Sequence, residues 1–156
     1  MPNLKTEIAQ GLPFACAAEE ALLNIMRTAD VLQREAQLRT RAWGITSTQY
    51  NVLRILRGAQ PHGLPCAAIG DRMITAEPDI TRLLNRLKGL KLIRQRRDRQ
   101  DRRVVITHIS QAGLDLLHQM DPVFDRAPQE LLGHLSQSEI VELIRLLELA
   151  RTPPQK

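Results

Sequence analysis

Aromatic residues are scarce in this sequence. Only four of its 156 residues carry an aromatic ring, and they stand far apart along the chain: Phe14, Trp43, Tyr50 and Phe124. None of them lies among the many arginines of residues 82–103. Proteins that read RNA or single-stranded DNA stack the bases on aromatic rings interleaved with basic side chains. The composition therefore argues against both of these protein classes.

Cysteine and long apolar runs are also rare. The only two cysteines, Cys16 and Cys66, form no Cys-x-x-Cys motif, so we expect reduced apolar fillers rather than a disulfide framework or a zinc site. No apolar run approaches the ~18 residues that span a membrane, and residues 1–7 lack the apolar stretch of a secretion signal. We therefore expect a cytoplasmic protein without membrane contact.

Signatures of catalysis are missing as well. The sequence has no His-Glu-x-x-His motif, no glycine-rich phosphate loop and no nucleophile elbow around a serine. Glu130 and His134 stand four residues apart, but such a pair is more typical of a helix surface than of a metal site. We therefore predict no enzymatic activity, no cofactor and no metal site.

Positive charge is abundant in one segment. Residues 82–103 contain ten lysines or arginines against two acidic residues, whereas the whole chain has a net charge of only +5. Charge concentrated in this way is the electrostatic footprint of a nucleic-acid reader, and the alternative is a solvated face that binds nothing. Because aromatic rings are absent from the segment, double-stranded DNA is the favoured partner.

Hydrophobic periodicity predicts a mainly α fold with one small β-hairpin in a single domain. The predicted helices cover about 15–41, 46–58, 64–73, 78–88, 110–131 and 136–151, and the predicted strands cover 92–97 and 104–109. Two helix starts have the spacing of a capping box. These are Thr46 with Gln49 and Ser136 with Glu139.

Two short helices in series, followed by a hairpin, form the pattern of a winged helix-turn-helix. We expect Pro78 at the first position of the second short helix. Gly89 is expected in a left-handed conformation just beyond its end, with Leu90 packing after it. The predicted buried stripe of this helix is Ile80, Leu83, Leu84 and Leu87. The opposite, basic side is then free to face solvent or a ligand.

The C-terminal helices carry two further expectations. Pro122 and Pro128 interrupt the helix that starts near Ser110, so we expect each to kink or split it. The last helix is apolar over too wide a face to pack on one neighbour. Two interpretations are open: a central core helix or, as the favoured one, a dimer interface shared with the first and fifth helices. The end of the chain, 152–156, is expected to be frayed.

Four motifs, taken in this order, resemble those of the MarR family of bacterial winged-helix transcriptional regulators. They are Ile45–Leu53, Asp79–Leu87, Gly89–Arg94 and Asp98–Arg103. The segment that follows, Ile109–Gly113, is similar to the family's Leu-Thr-x-x-Gly with serine in place of threonine.

The resemblance runs over about residues 15–150 and implies a domain organisation. A winged helix-turn-helix lobe would occupy 46–110 of the single chain 1–156, with dimerisation helices at 15–41 and 111–151. Family members are homodimers whose two recognition helices enter successive major grooves of a pseudo-palindromic operator, in agreement with the helical repeat of DNA.

The resemblance also implies the DNA-binding residues. The positions that match base and phosphate contacts on the recognition helix are Pro78, Asp79, Thr81, Arg82 and Arg86. Arg103 matches the wing arginine that enters the minor groove, where negative potential is concentrated, and Asp101 matches the acid that positions it. Phosphate contacts are expected from four other wing arginines. These are Arg96, Arg97, Arg99 and Arg102.

Glu77 and Asp79 place two carboxylates on a surface that should face phosphates, and negative charge is unexpected there. An acid there can accept a hydrogen bond from cytosine, or it can cap the N-terminus of the helix. Capping is the favoured interpretation.

The family further implies a repressor that a small aromatic or anionic effector releases from DNA. Arg41, Trp43 and Tyr50 are candidates to line its pocket, although packing is the commoner fate of such aromatic residues. A first alternative is a peroxide-sensing repressor that uses Cys16, which is disfavoured because the acidic residues that follow it oppose formation of the thiolate. A second is a winged helix that serves only as a protein-interaction module.

Overall fold

The computed structural model describes residues 3–152. Its helices are α1 (Leu4–Glu7), α2 (Ala17–Arg41), α3 (Ser47–Gly58), α4 (Cys66–Gly70), α5 (Ile80–Gly89), α6 (Gln111–Leu132) and α7 (Gln137–Arg151). Its strands are β1 (Leu64–Pro65), β2 (Ile93–Arg97) and β3 (Val105–Ile109). Within the described residues, no helix is both long enough and apolar enough to cross a membrane. Of the end that we expected to be frayed, 152–156, residues 153–156 lie outside the described part of the chain.

The chain divides into two compact units, Met1–Leu117 and His118–Lys156. The first unit contains the five helices α1–α5, the three strands and the beginning of α6, and the second contains the rest of α6 and α7. The core of the first unit is built from side chains that are almost completely inaccessible to solvent. They are Val52, Leu53, Leu56, Ile69, Leu84, Leu87 and Leu117.

The predicted first helix is confirmed as α2, but most of its apolar side chains are exposed in the single chain. Leu22, Met26 and Leu38 each expose more than half of their surface. The C-terminal end of α2 is attached to the start of α3, because the backbone N–H of Ser47 donates to Gln37 Oε1 at 3.1 Å. Helix α2 is thus held to α3 at its C-terminal end and keeps an apolar face in solvent.

Both predicted capping boxes are confirmed. Thr46 Oγ1 accepts from the backbone N–H of Gln49 at 3.1 Å, and Gln49 Oε1 accepts from the N–H of Thr46 at 2.9 Å. Ser136 and Glu139 make the same exchange at the start of α7. Each pair satisfies donors that the helix itself cannot satisfy.

The helix predicted over 64–73 is wrong in its extent. Leu64 and Pro65 form β1, which pairs antiparallel with β3, and α4 begins only at Cys66 and ends at Gly70. The turn before β1 runs close to β3: Gly63 has a φ of 69°, and a Cβ there would meet the carbonyl of Thr107. Periodicity could not reveal this strand, because the partner that makes it a strand lies far along the chain.

The three strands form one antiparallel sheet in the order β1-β3-β2. In the hairpin, Ile93 lies opposite Ile109 and Arg97 lies opposite Val105. The two predicted strands are confirmed to within one residue at each end. Ile93 and Ile109 are buried, Ile106 is half-buried opposite Arg96, and the arginines of β2 are exposed.

The start of α5 differs from the prediction. Asp79 is the N-cap and Ile80 the first helical residue, so Pro78 lies before the helix and not at its first position. Asp79 has a non-helical backbone because its side chain turns back to cap the helix. The predicted stripe is buried at Leu83, Leu84 and Leu87. Ile80 is half-buried.

The end of α5 also differs. Gly89 is still helical, and Lys91, with a φ of 60°, takes the left-handed conformation instead. The N–H of Leu92 donates to the Leu87 carbonyl at 3.1 Å, which is the long bond of a Schellman motif. Leu92 is buried and Leu90 half-exposed, so Leu92 makes the apolar contact that we expected of Leu90. Helix α5 extends through Gly89 because the burial of Leu92 and the start of β2 at Ile93 determine where the chain turns.

The junction between β3 and α6 explains the Ser-x-x-Gly motif. Ser110 Oγ accepts from the N–H of Gly113 at 3.0 Å and donates to the Lys91 carbonyl at 2.7 Å. A Cβ at position 113 would collide with the carbonyl of Leu92. A buried serine and a glycine are therefore both needed where α6 starts against the hairpin.

The prolines do not split α6, which runs without interruption through Pro122 and Pro128. A proline removes one backbone donor from a helix but leaves the donors of its neighbours in place. The carbonyl of Pro122 also accepts from Arg126 Nε at 3.0 Å. The predicted split is therefore wrong, and a kink at either proline stays a prediction.

Helix α7 has no buried residue. Four of its apolar side chains are about half exposed in the described chain: Val141, Ile144, Leu146 and Leu149. A central core helix would bury these side chains, so that interpretation of the wide apolar face is wrong.

Candidate nucleic-acid interface

The side of α5 opposite its buried stripe is polar. Four exposed side chains share it: Thr81, Arg82, Asn85 and Arg86. Together with Asp79 they line one shallow depression of the surface. Within residues 3–152, Arg82 and Arg86 form no ion pair, so both guanidinium groups are available to an anionic partner. Sequence analysis missed Asn85, although its spacing from Arg82 and Thr81 already placed it on this side.

The carboxylates at the start of α5 serve the helix itself. Asp79 Oδ1 accepts from the N–H of Arg82 at 2.8 Å, and Glu77 Oε1 accepts from the N–H of Asp79 at 3.2 Å. The capping interpretation is thereby confirmed. The linker before them is also anchored, because Asn51 Oδ1 accepts from the N–H of Ile74 at 3.1 Å. These bonds fix the start of α5 within the first unit.

The tip of the hairpin is organised by Asp98, a residue to which sequence analysis assigned no role. Its Oδ1 accepts from the N–H of Gln100 at 2.8 Å and from that of Asp101 at 2.9 Å. The N–H of Asp101, followed by that of Gln100, lowers the pKa of the Asp98 carboxyl because both bonds favour the ionised form. The Asp-x-x-Asp spacing is the signal that could have identified this turn.

The carboxylate of Asp101 holds the backbone of Arg103 more tightly than it holds the guanidinium of Arg103. Asp101 Oδ1 accepts from the N–H of Arg103 at 2.9 Å, whereas Arg103 Nε lies 3.9 Å from the same oxygen. The Arg103 side chain is 96% exposed. The carboxylate thus fixes the point from which the guanidinium extends and restrains the guanidinium itself only weakly.

The other wing arginines fall into two groups. Arg97 Nη1 donates to the carbonyl of Arg102 at 2.9 Å, so Arg97 helps to close the wing loop. Arg96, Arg99 and Arg102 have exposed side chains. The hairpin therefore presents a cluster of guanidinium groups on a loop held by its own hydrogen bonds.

His108 lies on β3 directly opposite Arg94. Burial lowers the pKa of its imidazole, and the positive charges of Arg96 and Arg94 lower this pKa further, while the backbone of Pro61 acts in the opposite direction. The side of the sheet that carries the arginines therefore holds a histidine that resists protonation.

Comparison with known proteins places this arrangement in a family. The sequence profile of the MarR family matches residues 43–104, which include α3, α4, α5, β2 and the loop that follows β2. A MarR transcription factor from Planctomyces limnophilus is 37% identical in sequence, and the match covers 88% of this chain and 99% of that structure with a TM-score of 0.66. The chain belongs to the MarR family.

Two further solved structures resemble the chain. MepR from S. aureus, solved in complex with DNA, is 25% identical, and the match covers 83% of this chain and 94% of MepR with a TM-score of 0.74. The PcaV transcriptional regulator from Streptomyces coelicolor, solved with its natural ligand, is 27% identical, and the match covers 79% of this chain and 88% of PcaV with a TM-score of 0.67. The mainly helical winged fold that the sequence predicted is thus confirmed as that of a MarR transcriptional regulator.

The residues predicted to line an effector pocket occupy different environments in this MarR-family chain. Tyr50 is buried in the first unit, with the Arg54 guanidinium 5.9 Å from the centre of its ring. Trp43 is half-buried just after α2, and Arg41 is exposed. The packing of Tyr50 fits the commoner fate of aromatic residues, and the pocket stays a prediction.

Cys16 is the N-cap of α2, and its side chain is exposed. Glu19 Oε2 accepts from the N–H of Ala15 at 2.6 Å, which holds a carboxylate beside the same turn. Cys66 is half-buried at the start of α4. Within residues 3–152, no three His, Cys, Asp or Glu side chains are grouped closely enough to hold a metal ion.

Proposed function

We propose that this MarR-family regulator is a homodimeric repressor that binds a pseudo-palindromic site in double-stranded DNA and leaves it when a small ligand binds. The observation that carries the proposal is the arginine-rich surface of the first unit. It combines the polar side of α5, which is held by the Asp79 cap, with the wing turn that Asp98 stabilises. We refer to this combined surface as the arginine face.

The arginine face suits duplex DNA. An α-helix fits the major groove, and a recognition helix reads base edges with its exposed side chains. The helix residues that we assign to DNA contacts are Pro78, Asp79, Thr81, Arg82 and Arg86. In the wing, Arg103 enters the minor groove from a point that Asp101 fixes, and Arg96, Arg97, Arg99 and Arg102 bind phosphates. The DNA complex of MepR supports DNA as the partner.

A homodimer follows from the exposed apolar side chains of α2 and α7. An apolar helix face left in solvent marks an interaction surface, and a two-fold symmetric dimer matches a pseudo-palindromic site. We assign dimerisation to 15–41 and 111–151 and DNA binding to 46–110 of the single chain.

Release by a ligand is supported by the PcaV structure with its natural ligand. We place the effector, a small aromatic or anionic compound, near Arg41, Trp43 and Tyr50. The alternatives are peroxide sensing through Cys16, which is exposed, and a protein-interaction module. We propose no enzymatic activity, and we place the protein in the cytoplasm, where bacterial operators are found.

The proposal is tested by binding to a labelled duplex that spans the region upstream of the gene. We expect a dimer to bind it in the presence of unrelated competitor DNA, with an affinity that falls as salt is raised. Adding phenolic acids or a hydroperoxide to the same assay distinguishes ligand release from peroxide release. Binding that competitor removes completely, or a protein that stays monomeric in light scattering, would contradict the proposal.

A further inference from the structure

Asn85 stands at the centre of the side of α5 that faces outward. Successive residues of an α-helix are about 100° apart, so Asn85 and Arg82 flank the direction opposite Leu83, Leu84 and Leu87. Asn85 is exposed, as Arg82 is. A helix that lies in a groove with its buried stripe turned to the protein therefore points Asn85 at the groove floor.

The amide of Asn85 is not used by the protein. Within residues 3–152, no group donates to it or accepts from it. Other asparagines of the chain are occupied: Asn51 accepts from the N–H of Ile74, and Asn24 donates to the carbonyl of Glu20 at 2.9 Å. Asn85 therefore keeps a donor and an acceptor free side by side.

We propose that Asn85 determines base specificity by reading one adenine in each half of the DNA site. In the major groove, adenine presents an acceptor at N7 beside a donor at N6, and the side-chain amide complements this pair with two hydrogen bonds. The neighbouring Arg82 and Arg86 have donors only, so they suit guanine or phosphate and cannot match adenine in this way. The proposal rests on the proposed function, because it requires a specific duplex site.

The test is enrichment of randomised duplexes by the wild type, Asn85→Ala, Asn85→Asp and a control, Gln111→Ala. The control removes an exposed amide that is bonded to Asp115 at the start of α6 and is not among the residues that line the depression on the polar side of α5. The wild type and the control should select the same two-fold site. We expect Asn85→Ala to lose a preference of about 5- to 150-fold for adenine at one position per half-site and to keep the rest of the site.

Asn85→Asp provides a gain of specificity that a purely structural role would not produce. A carboxylate can only accept, so the preferred base at the same position should change from adenine to cytosine, whose N4 group donates. Replacing that adenine by 7-deaza-adenine, which lacks the N7 acceptor, should weaken binding of the wild type and leave binding of Asn85→Ala unchanged.

The outcomes are distinguishable. If the wild type enriches a two-fold site and Asn85→Ala enriches the same site with the same preferences, the inference about Asn85 is wrong and the proposed function stands. If the wild type enriches no site although it binds duplex DNA, the proposed function fails, and the inference fails with it.

Discussion

Replacement of Arg103 by alanine separates a DNA reader from a protein-interaction module. The side chain is 96% exposed, and its one ion-pair contact, between Nε and Asp101 Oδ1, is 3.9 Å long. Its removal should therefore leave the free energy of unfolding unchanged. Any loss must then appear in binding.

The size of this loss can be worked out from one contact per subunit. A hydrogen bond to a charged group contributes about 1.5–3 kcal/mol net, and a dimer that loses two of them should bind its site about 10²- to 10⁴-fold more weakly. If the guanidinium enters the minor groove, the loss should be greater on the specific site than on unrelated duplex. Loss of a phosphate contact alone would weaken binding to the specific site and to unrelated duplex equally.

The assay is fluorescence anisotropy with a labelled duplex at several salt concentrations, with urea unfolding of each variant in parallel. Arg34→Ala is the matched control, since Arg34 is an exposed arginine of α2 that is paired with Asp30 and remote from the wing in sequence. An Arg103→Ala protein that folds normally and binds as tightly as the wild type would refute the assignment of this arginine.

Three further predictions concern stability and assembly. Ser110→Ala removes both side-chain hydrogen bonds of a buried cap. It should lower the free energy of unfolding, measured in urea, by about 1–3 kcal/mol. Ser47→Ala should lower it much less, and equal losses would contradict the role of the cap. Because the pKa of His108 is lowered in the folded state, the stability that it contributes is complete above its unfolded value of about 6.5 and is lost as the pH falls towards the folded value. His108→Gln should reduce the decline in stability between pH 7 and pH 5, and an NMR titration that gives His108 a pKa above 6.5 would reverse the sign. Ile144→Glu, which puts a charge on the exposed apolar face of α7, should weaken dimerisation at least about 30-fold in sedimentation measurements, and an unchanged dimer would place the interface elsewhere.

Much of the candidate site was predictable, and the reason lies in how near the interacting groups are in sequence. The hairpin of arginines was visible from its charge and its β-branched residues, and the cap at Asp79 from its position before an apolar stripe. Asn85 was not predicted because its side chain is neutral and adds nothing to the positive charge of the segment. That its amide is free could be known only from the positions of its neighbours.

The fold shows the same division. The two capping boxes and the two hairpin strands were predicted because their partners are three residues apart or joined by a short loop. The extent of α4 and the left-handed residue after α5 were not, since β1 exists only through its pairing with β3, and Lys91 turns where Leu92 can be buried. Likewise, the unbroken course of α6 through both prolines could not be read from propensity.

The sequence by itself determined where charge gathers, which helices are amphipathic and how their ends are capped, because these properties depend on side chains within one or two turns of each other. Only the tertiary structure decided that β1 is a strand, that the apolar face of α7 is exposed in the single chain and that, within residues 3–152, the amide of Asn85 has no partner. Burial and hydrogen bonding are properties of groups that meet in space, and for these features the groups are distant along the chain.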